Sequence, residues 1–384
     1  MSFDFKLLGR KIKEARESLL IEKEEVAKYL RCSIEEYEKI ENGESSSVDG
    51  DTIILISQVL EMDFRYFVSG DYVSAESQIK ELFRQNGDIT KNDRKAIRKF
   101  IRLCEEKHNL EGLLSRQKPL PYDYSGYGFR SNNHKYQGIT AAYRERKRLN
   151  IDDSINDIYG LLRKQKIHIF RRRLEDSNIS GVYIKHPIAG HCVLINYSDD
   201  IYRQNFSMAH EYCHVLFDSG KEQSITYFNR EMNYVEIRAN NFASNFLLPA
   251  KGIESINTDT SYEELIKIIL DICNHYNVSS KVVVYRLKEK RLISEKLVER
   301  LLKDERLIIS KSDKIDPELA GASKNLHEKL KKIIESGISL EYIELVRNAY
   351  QQNEISYGKM LECLQMNIED AKQLIDLWDV YMEV

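Results

Sequence analysis

The sequence predicts a multidomain chain: an all-α N-terminal unit, an α+β unit built on a small antiparallel sheet, and a helical C-terminal region. Three observations point there. Apolar residues recur at helical spacing through residues 5–69, three strand-like runs (166–173, 179–186 and 190–197) sit between helical stretches, and the pattern beyond residue 294 is helical again.

In the first unit the recurring positions are Leu8, Ile12 and Ala15, then Val26, Ala27 and Leu30, then Ile34, Tyr37 and Ile40, then Ile53, Ile56 and Leu60. Ser33 is placed to cap the third helix, and Gly43 follows its end. Two longer helices are expected over 74–112, broken at Asn86–Asp88. Residues 115–136 hold Pro119, Pro121, Gly126 and Gly128 and read as a linker. Helices near 137–149 and 153–165 precede the strands, and helices near 200–217, 232–247, 261–276 and 279–289 follow them. The expected units are 1–70, a basic helical segment with its linker at 71–136, 137–293, and 294–384.

Composition excludes several classes. No window of the 384 residues approaches the uninterrupted apolar length of a membrane span, and the N-terminus lacks a signal peptide's apolar core. Six scattered cysteines form no C-x-x-C pair, which fits a reducing cytoplasm and argues against a disulfide framework. The net charge of −3 argues for no nucleic-acid or membrane partner by itself. Its distribution is uneven: residues 1–70 carry 10 Lys/Arg against 15 Asp/Glu, and residues 71–150 carry 17 against 10.

The sharpest signal is "FSMAHEYCHVLFD", which holds H-E-x-x-H at His210, Glu211 and His214. Residues four apart share a helix face, so both imidazoles can reach one cation. Glu211 sits about a quarter-turn away, placed to accept a proton from a water. A catalytic zinc needs a third protein ligand. A histidine six residues beyond the second is ruled out, because that position is Gly220. The alternative is a carboxylate from a later helix. In "YVEIRANNFASNFLLPA" the only one is Glu236, and Asn240 lies one turn further, where it can orient a ligand histidine.

These two segments resemble the ImmA/IrrE metallopeptidase family. The pattern is H-E-x-x-H followed by E-x-x-A-N-x-F-A and an L-L-x-P-like ending, here Glu236, Ala239, Asn240, Phe242, Ala243, Leu247, Leu248 and Pro249. The resemblance spans about residues 137–290. It implies a gluzincin-like zinc site with ligands His210, His214 and Glu236, and Glu211 as general base. It further implies selective cleavage of a regulatory protein, often a repressor. Cys213 stands where the family commonly has glycine. Zinc is the expected metal, with manganese the alternative. The strand "GHCVLINY" is expected to offer a free edge for an extended substrate. No oxyanion donor is evident; Tyr227 and Tyr234 lie between the motifs.

Residues 5–69 resemble the XRE/Cro-like helix-turn-helix family through Ile12, Arg16, "VAKYL", Ser33, Tyr37, Ile40, Glu41, Asn42 and Gly43. The resemblance implies double-stranded DNA as a partner, with Lys28, Arg31, Ser33, Tyr37 and Lys39 as candidate contacts. The third helix is nevertheless acidic, with Glu35, Glu36, Glu38 and Glu41 against Lys39 alone, while DNA binding draws on phosphate neutralisation. A dimerisation or protein-docking role is the competing reading, and basic residues 91–107 are a candidate source of the missing charge. A second helix-turn-helix rhythm follows residue 355, with Met360, Leu361 and Leu364, then Ala371, Leu374 and Ile375, and with Trp378 expected to pack on the peptidase unit.

The leading expectation is a cytoplasmic zinc endopeptidase that cleaves a repressor or antitoxin-like protein, targeted by its N-terminal module and compatible with a homodimer. The competing one is a DNA-binding regulator or antitoxin whose metal domain senses or scaffolds without proteolysis.

Overall fold

The structure is a computed structural model. It describes residues 3–45, 48–69, 73–176, 178–218, 223–227, 233–254, 256, 260–307, 316–320, 324–366, 369 and 374.

Five short helices open the chain: α1 (Phe5–Ser18), α2 (Lys23–Leu30), α3 (Ile34–Glu41), α4 (Gly50–Val59) and α5 (Phe64–Val68). The Ser33 side chain accepts from the Glu36 amide while Glu36 reaches back, a capping box that fixes where α3 begins. Leu8, Ile12, Ala15, Val26, Tyr37, Ile56 and Leu60 are buried as their spacing predicts, whereas Ile34, in the first turn of α3, is 42% exposed. Next come α6 (Glu76–Gln85), α7 (Lys91–Leu113), α8 (His134–Arg148) and α9 (Ile158–Arg163). The sheet begins with β1 (Ile167–Arg172), β2 (Ile179–His186) and β3 (Gly190–Asn196), then α10 (Ile201–Phe217), β4 (Gln223–Tyr227) and α11 (Tyr234–Leu247). Helices α12 (Lys251–Glu254), α13 (Tyr262–Tyr276), α14 (Ser280–Glu289), α15 (Glu295–Leu302), α16 (Lys324–Glu335), α17 (Leu340–Gln351) and α18 (Tyr357–Leu364) follow. Ala371, Ile375 and Trp378 lie outside the described residues.

The sheet corrects two expectations. It is mixed: the strand order is β1-β3-β2-β4, with β1 parallel to β3 and both other pairs antiparallel. Consequently β3 is flanked on both sides and offers no free edge, whereas β4, which the sequence reading missed, is an edge strand. Alternate residues of the strands enter two different cores. Ile167, Ile169, Tyr183, Val193 and Ile195 pack with α10 and α11, and Phe170, Val182, Ile184, Cys192 and Leu194 pack with α6, α7 and α17. Burial on both faces explains why the strands read as near-continuous apolar runs. Phe100 of α7, Phe170 of β1 and Tyr342 of α17 join in two edge-on ring contacts, with centroids 6.3 and 5.6 Å apart.

The charge asymmetry resolves within the molecule. Lys80 pairs with Glu14, Lys91 with Glu25, and Lys99 with Glu61 at 3.1 Å, so cations of α6 and α7 meet acids of the first five helices. Arg98 is buried against Glu76 at 2.8 Å. The basic run at 91–107 is therefore engaged inside the fold, which corrects its reading as a reserve of phosphate-binding charge.

Helix α8 lies tightly on α11. A Cβ at Gly138 would meet the Arg238 carbonyl oxygen at 2.3 Å, so only glycine allows this backbone approach. Between α7 and α8 the chain runs along the α10 side of the sheet. There the Tyr124 amide donates to the Leu216 carbonyl at 2.6 Å, and the Tyr124 and Phe129 rings stack on Phe217.

Candidate metal centre

Helix α10 starts at the Asp200 cap and is buried along its last three turns. That burial carries three polar side chains into the interior: His210, Glu211 and His214 are 3%, 0% and 4% exposed. Polar groups buried to this degree need partners. The histidines find theirs on one ring nitrogen each. His210 Nδ1 donates to Asn240 Oδ1 at 2.9 Å, and His214 Nδ1 donates to Asp218 Oδ2 at 2.8 Å. Both rings are thereby held as the tautomer that leaves Nε2 a lone pair.

The two Nε2 atoms face each other at 3.1 Å. Glu236, entering from the first turn of α11, places carboxylate oxygens 3.0 Å from His210 Nε2 and 3.7 Å from His214 Nε2. Ligand atoms of the three residues all lie within 4.8 Å of one another, the one such group among the described residues. Two lone pairs and a carboxylate converging without a donor between them form a set that a cation would satisfy. Two imidazoles on one tetrahedral zinc need a separation of about 3.3 Å, close to that observed. The donor set, two neutral imidazoles and one carboxylate with room for a fourth ligand, fits a catalytic zinc.

Glu211 differs from Glu236. It is fully buried, and neither of its oxygens makes a well-formed hydrogen bond. Burial raises its pKa above the ordinary carboxylate value, outweighing the nearby His214, His210 and Thr226 hydroxyl. A buried carboxylate without a firm partner costs stability, which makes Glu211 a candidate functional group beside the converging ligands. Gly181 of β2 makes its room: a Cβ there would come within 2.6 Å of Glu211 Oε1. Gly181→Ala is expected to displace the carboxylate and lower any hydrolytic rate by about 10²-fold while leaving metal content unchanged, measured on the same preparation.

A second layer braces the group. Burial disfavours the charged form of His214, but Asp218 and the carboxylates of Glu211 and Glu236 outweigh it and raise its pKa. Asp218 in turn receives Arg238 Nη2 at 2.7 Å, and the Arg238 guanidinium lies 4.3 Å over the Phe217 ring. The sequence reading missed Asp218 and Arg238. A signal existed for the first, an acid one helical turn beyond the second histidine. Cys213 is wholly buried with its thiol pKa pushed up by burial, as a small packing residue behind the site. Tyr234 is 72% exposed and stacks on His134, 5.5 Å between centroids.

A cleft of about 2060 Å³ opens over this group, lined by His210, Glu236, Asn240 and the whole of β4.

The candidate DNA contacts divide. Lys28, Arg31 and Lys39 are exposed. Ser33 commits its hydroxyl to the cap of α3. Tyr37 is 0% exposed and donates to Glu41 Oε1 at 2.7 Å, while Glu41 accepts from Arg16 at 2.6 Å. Tyr37 therefore belongs to the core of the bundle and cannot touch a groove, a correction that follows from the helical period placing it beside Ile12 and Ala15.

Comparison with protein families matches two segments of the chain. Residues 162–288 match a peptidase family described as the IrrE N-terminal-like domain, and residues 12–67 match a helix-turn-helix family. A DNA-binding type of module thus precedes a metalloprotease type of domain, a combination that belongs to transcription regulation. No curated protein matches the chain. No described helix is long and apolar enough to cross a membrane.

Proposed function

From an IrrE N-terminal-like domain that follows a helix-turn-helix, we propose that this chain is a gluzincin-like, zinc-dependent regulatory endopeptidase. The observation that carries the reading is the pair of anchored imidazoles, with Nε2 atoms 3.1 Å apart and Glu236 alongside, next to the orphaned carboxylate of Glu211. In this reading His210, His214 and Glu236 hold zinc or manganese, and Asn240 and Asp218 orient the rings. A cation held there supplies Lewis acidity, lowering the pKa of a water and polarising the scissile carbonyl. Glu211 takes the proton and returns it to the leaving amine. The β4 edge, which faces the cleft, receives the substrate as an added strand. The substrate is a cytoplasmic regulatory protein, a repressor or antitoxin, and the helix-turn-helix brings the peptidase to it, with Lys28, Arg31 and Lys39 free to meet DNA phosphate.

Metal analysis of the purified chain tests this first. About one divalent ion per chain is expected, and His210→Ala should lose it while keeping the wild-type circular-dichroism spectrum. Full metal retention by His210→Ala would refute the ligand set. A metal-replete wild type that cleaves no protein encoded beside its gene would favour a sensing or scaffolding regulator.

A further inference from the structure

The cleft extends well beyond the metal group. Its floor follows one face of α11, where Glu236, Asn240 and Ser244 succeed one another at helical spacing. Eight residues of helix carry that face about 12 Å from the metal group. There α14 takes over the wall, docked at the end of α11 by Arg286 Nε, which donates to the Leu248 carbonyl at 3.2 Å.

The α14 face turned to the cleft is cationic. Lys281, Tyr285 and Lys288 lie on one helix face, Arg291 follows in the next turn, and all four line the cleft and are exposed. Among the described residues Lys281 and Arg291 have no side-chain hydrogen-bond or ion-pair partner. Lys288 meets Glu295 at 2.7 Å, with side chains 43% and 68% exposed, so that pair competes weakly with another ligand. The acids on this wall are already engaged: Glu289 with Arg286 and Lys135, and Asp304 with Arg306 and Tyr262. Positive charge is therefore in surplus beside an exposed aromatic ring, at the far end of a groove that begins at the metal group.

We propose that Lys281, Tyr285, Lys288 and Arg291 form a subsite for an acidic segment of the protein substrate, at least about four residues from the scissile bond. The spacing follows from an extended chain covering about 3.3 Å per residue. The proposal rests on the peptidase reading above and specifies its substrate. A peptide is favoured over a nucleic acid because the same cleft carries the open edge of β4 and the Glu236 carboxylate.

The test measures binding, so its failure is distinct from failure of the catalytic reading, which shows in metal content and hydrolysis. Full-length Glu211→Gln protein is titrated by fluorescence anisotropy with peptides of one common core carrying a tail of glutamates, glutamines or lysines. The glutamate tail is expected to bind about tenfold tighter than the glutamine tail at low salt, and this advantage should vanish at high salt. It should also vanish in Lys281→Glu/Lys288→Glu/Arg291→Glu and, as a milder replacement, in the triple glutamine variant, with metal content and circular dichroism unchanged. Equal binding of the three tails, absence of peptide binding, or an acidic preference surviving both triple variants would overturn the proposal. So would tighter binding of an oligothymidylate that the triple variants abolish, which would make the face a nucleic-acid surface.

Discussion

Replacing Glu211 by glutamine is expected to leave the metal in place and to slow peptide-bond cleavage by about 10²- to 10⁴-fold. The substitution keeps the shape of the side chain and removes only its capacity to take a proton. Glu211 is not one of the three converging ligands, so the metal site should be untouched. Its carboxylate has no firm hydrogen bond to lose, so the fold should tolerate the amide. The measurement is metal content by mass spectrometry together with the cleavage rate of a protein substrate. A wild-type rate in a metal-replete variant would show that another group is the base.

The second large effect is on stability. Arg171 of β1 is 1% exposed and bonds Asp316 through two nitrogens, each at 2.8 Å, with Glu318 at 3.2 Å and the Tyr159 ring 4.3 Å from the guanidinium. Arg163 closes the network from α9 onto Glu318. Burial disfavours the guanidinium charge, but Glu318 and Asp316 outweigh it and raise its pKa. Its loss leaves buried Asp316 without a cationic partner and Glu318 with Arg163 alone, so Arg171→Ala is expected to lower stability by about 3–5 kcal/mol, read from urea unfolding by far-UV circular dichroism. Arg171→Met combined with Asp316→Leu, with Glu318 kept as the partner of Arg163, should recover most of the loss. A loss confined to a few tenths of a kcal/mol would show that the network is solvated.

Much of the site was legible because its chemistry is local. Helical spacing alone puts His210 and His214 on one face, and the isolated Glu236 followed by Asn240 stands out against an apolar helix. Asp218 obeys the same rule and was overlooked. Arg238 could not be read, since its role depends on a contact across two helices. The sheet was legible by strand and not by pairing. The parallel partner of β1 is β3, reached only after β2, and that long-range choice leaves no local trace. β4 went unseen because its five residues are all half-exposed and bear little apolar alternation. Tyr37 shows two readings in conflict. Periodicity assigns it to the core and the family resemblance to a groove contact, and the burial of its ring against Arg16 and Glu41 decides for periodicity.

The sheet face turned away from the metal is roofed by α6, α7 and α17, in one continuous core with the first five helices. A fragment beginning at α8 would keep α17 over Phe170 but lose α6 and α7, uncovering Val182 of β2 and Leu194 of β3, each worth about 1.5–3 kcal/mol when fully buried. Helices α6 and α7 thus pack on the sheet and on the first five helices at once, and neither side keeps its full core without them. The first five helices and the strands beneath Glu211 share that core, so separating them would break side-chain packing.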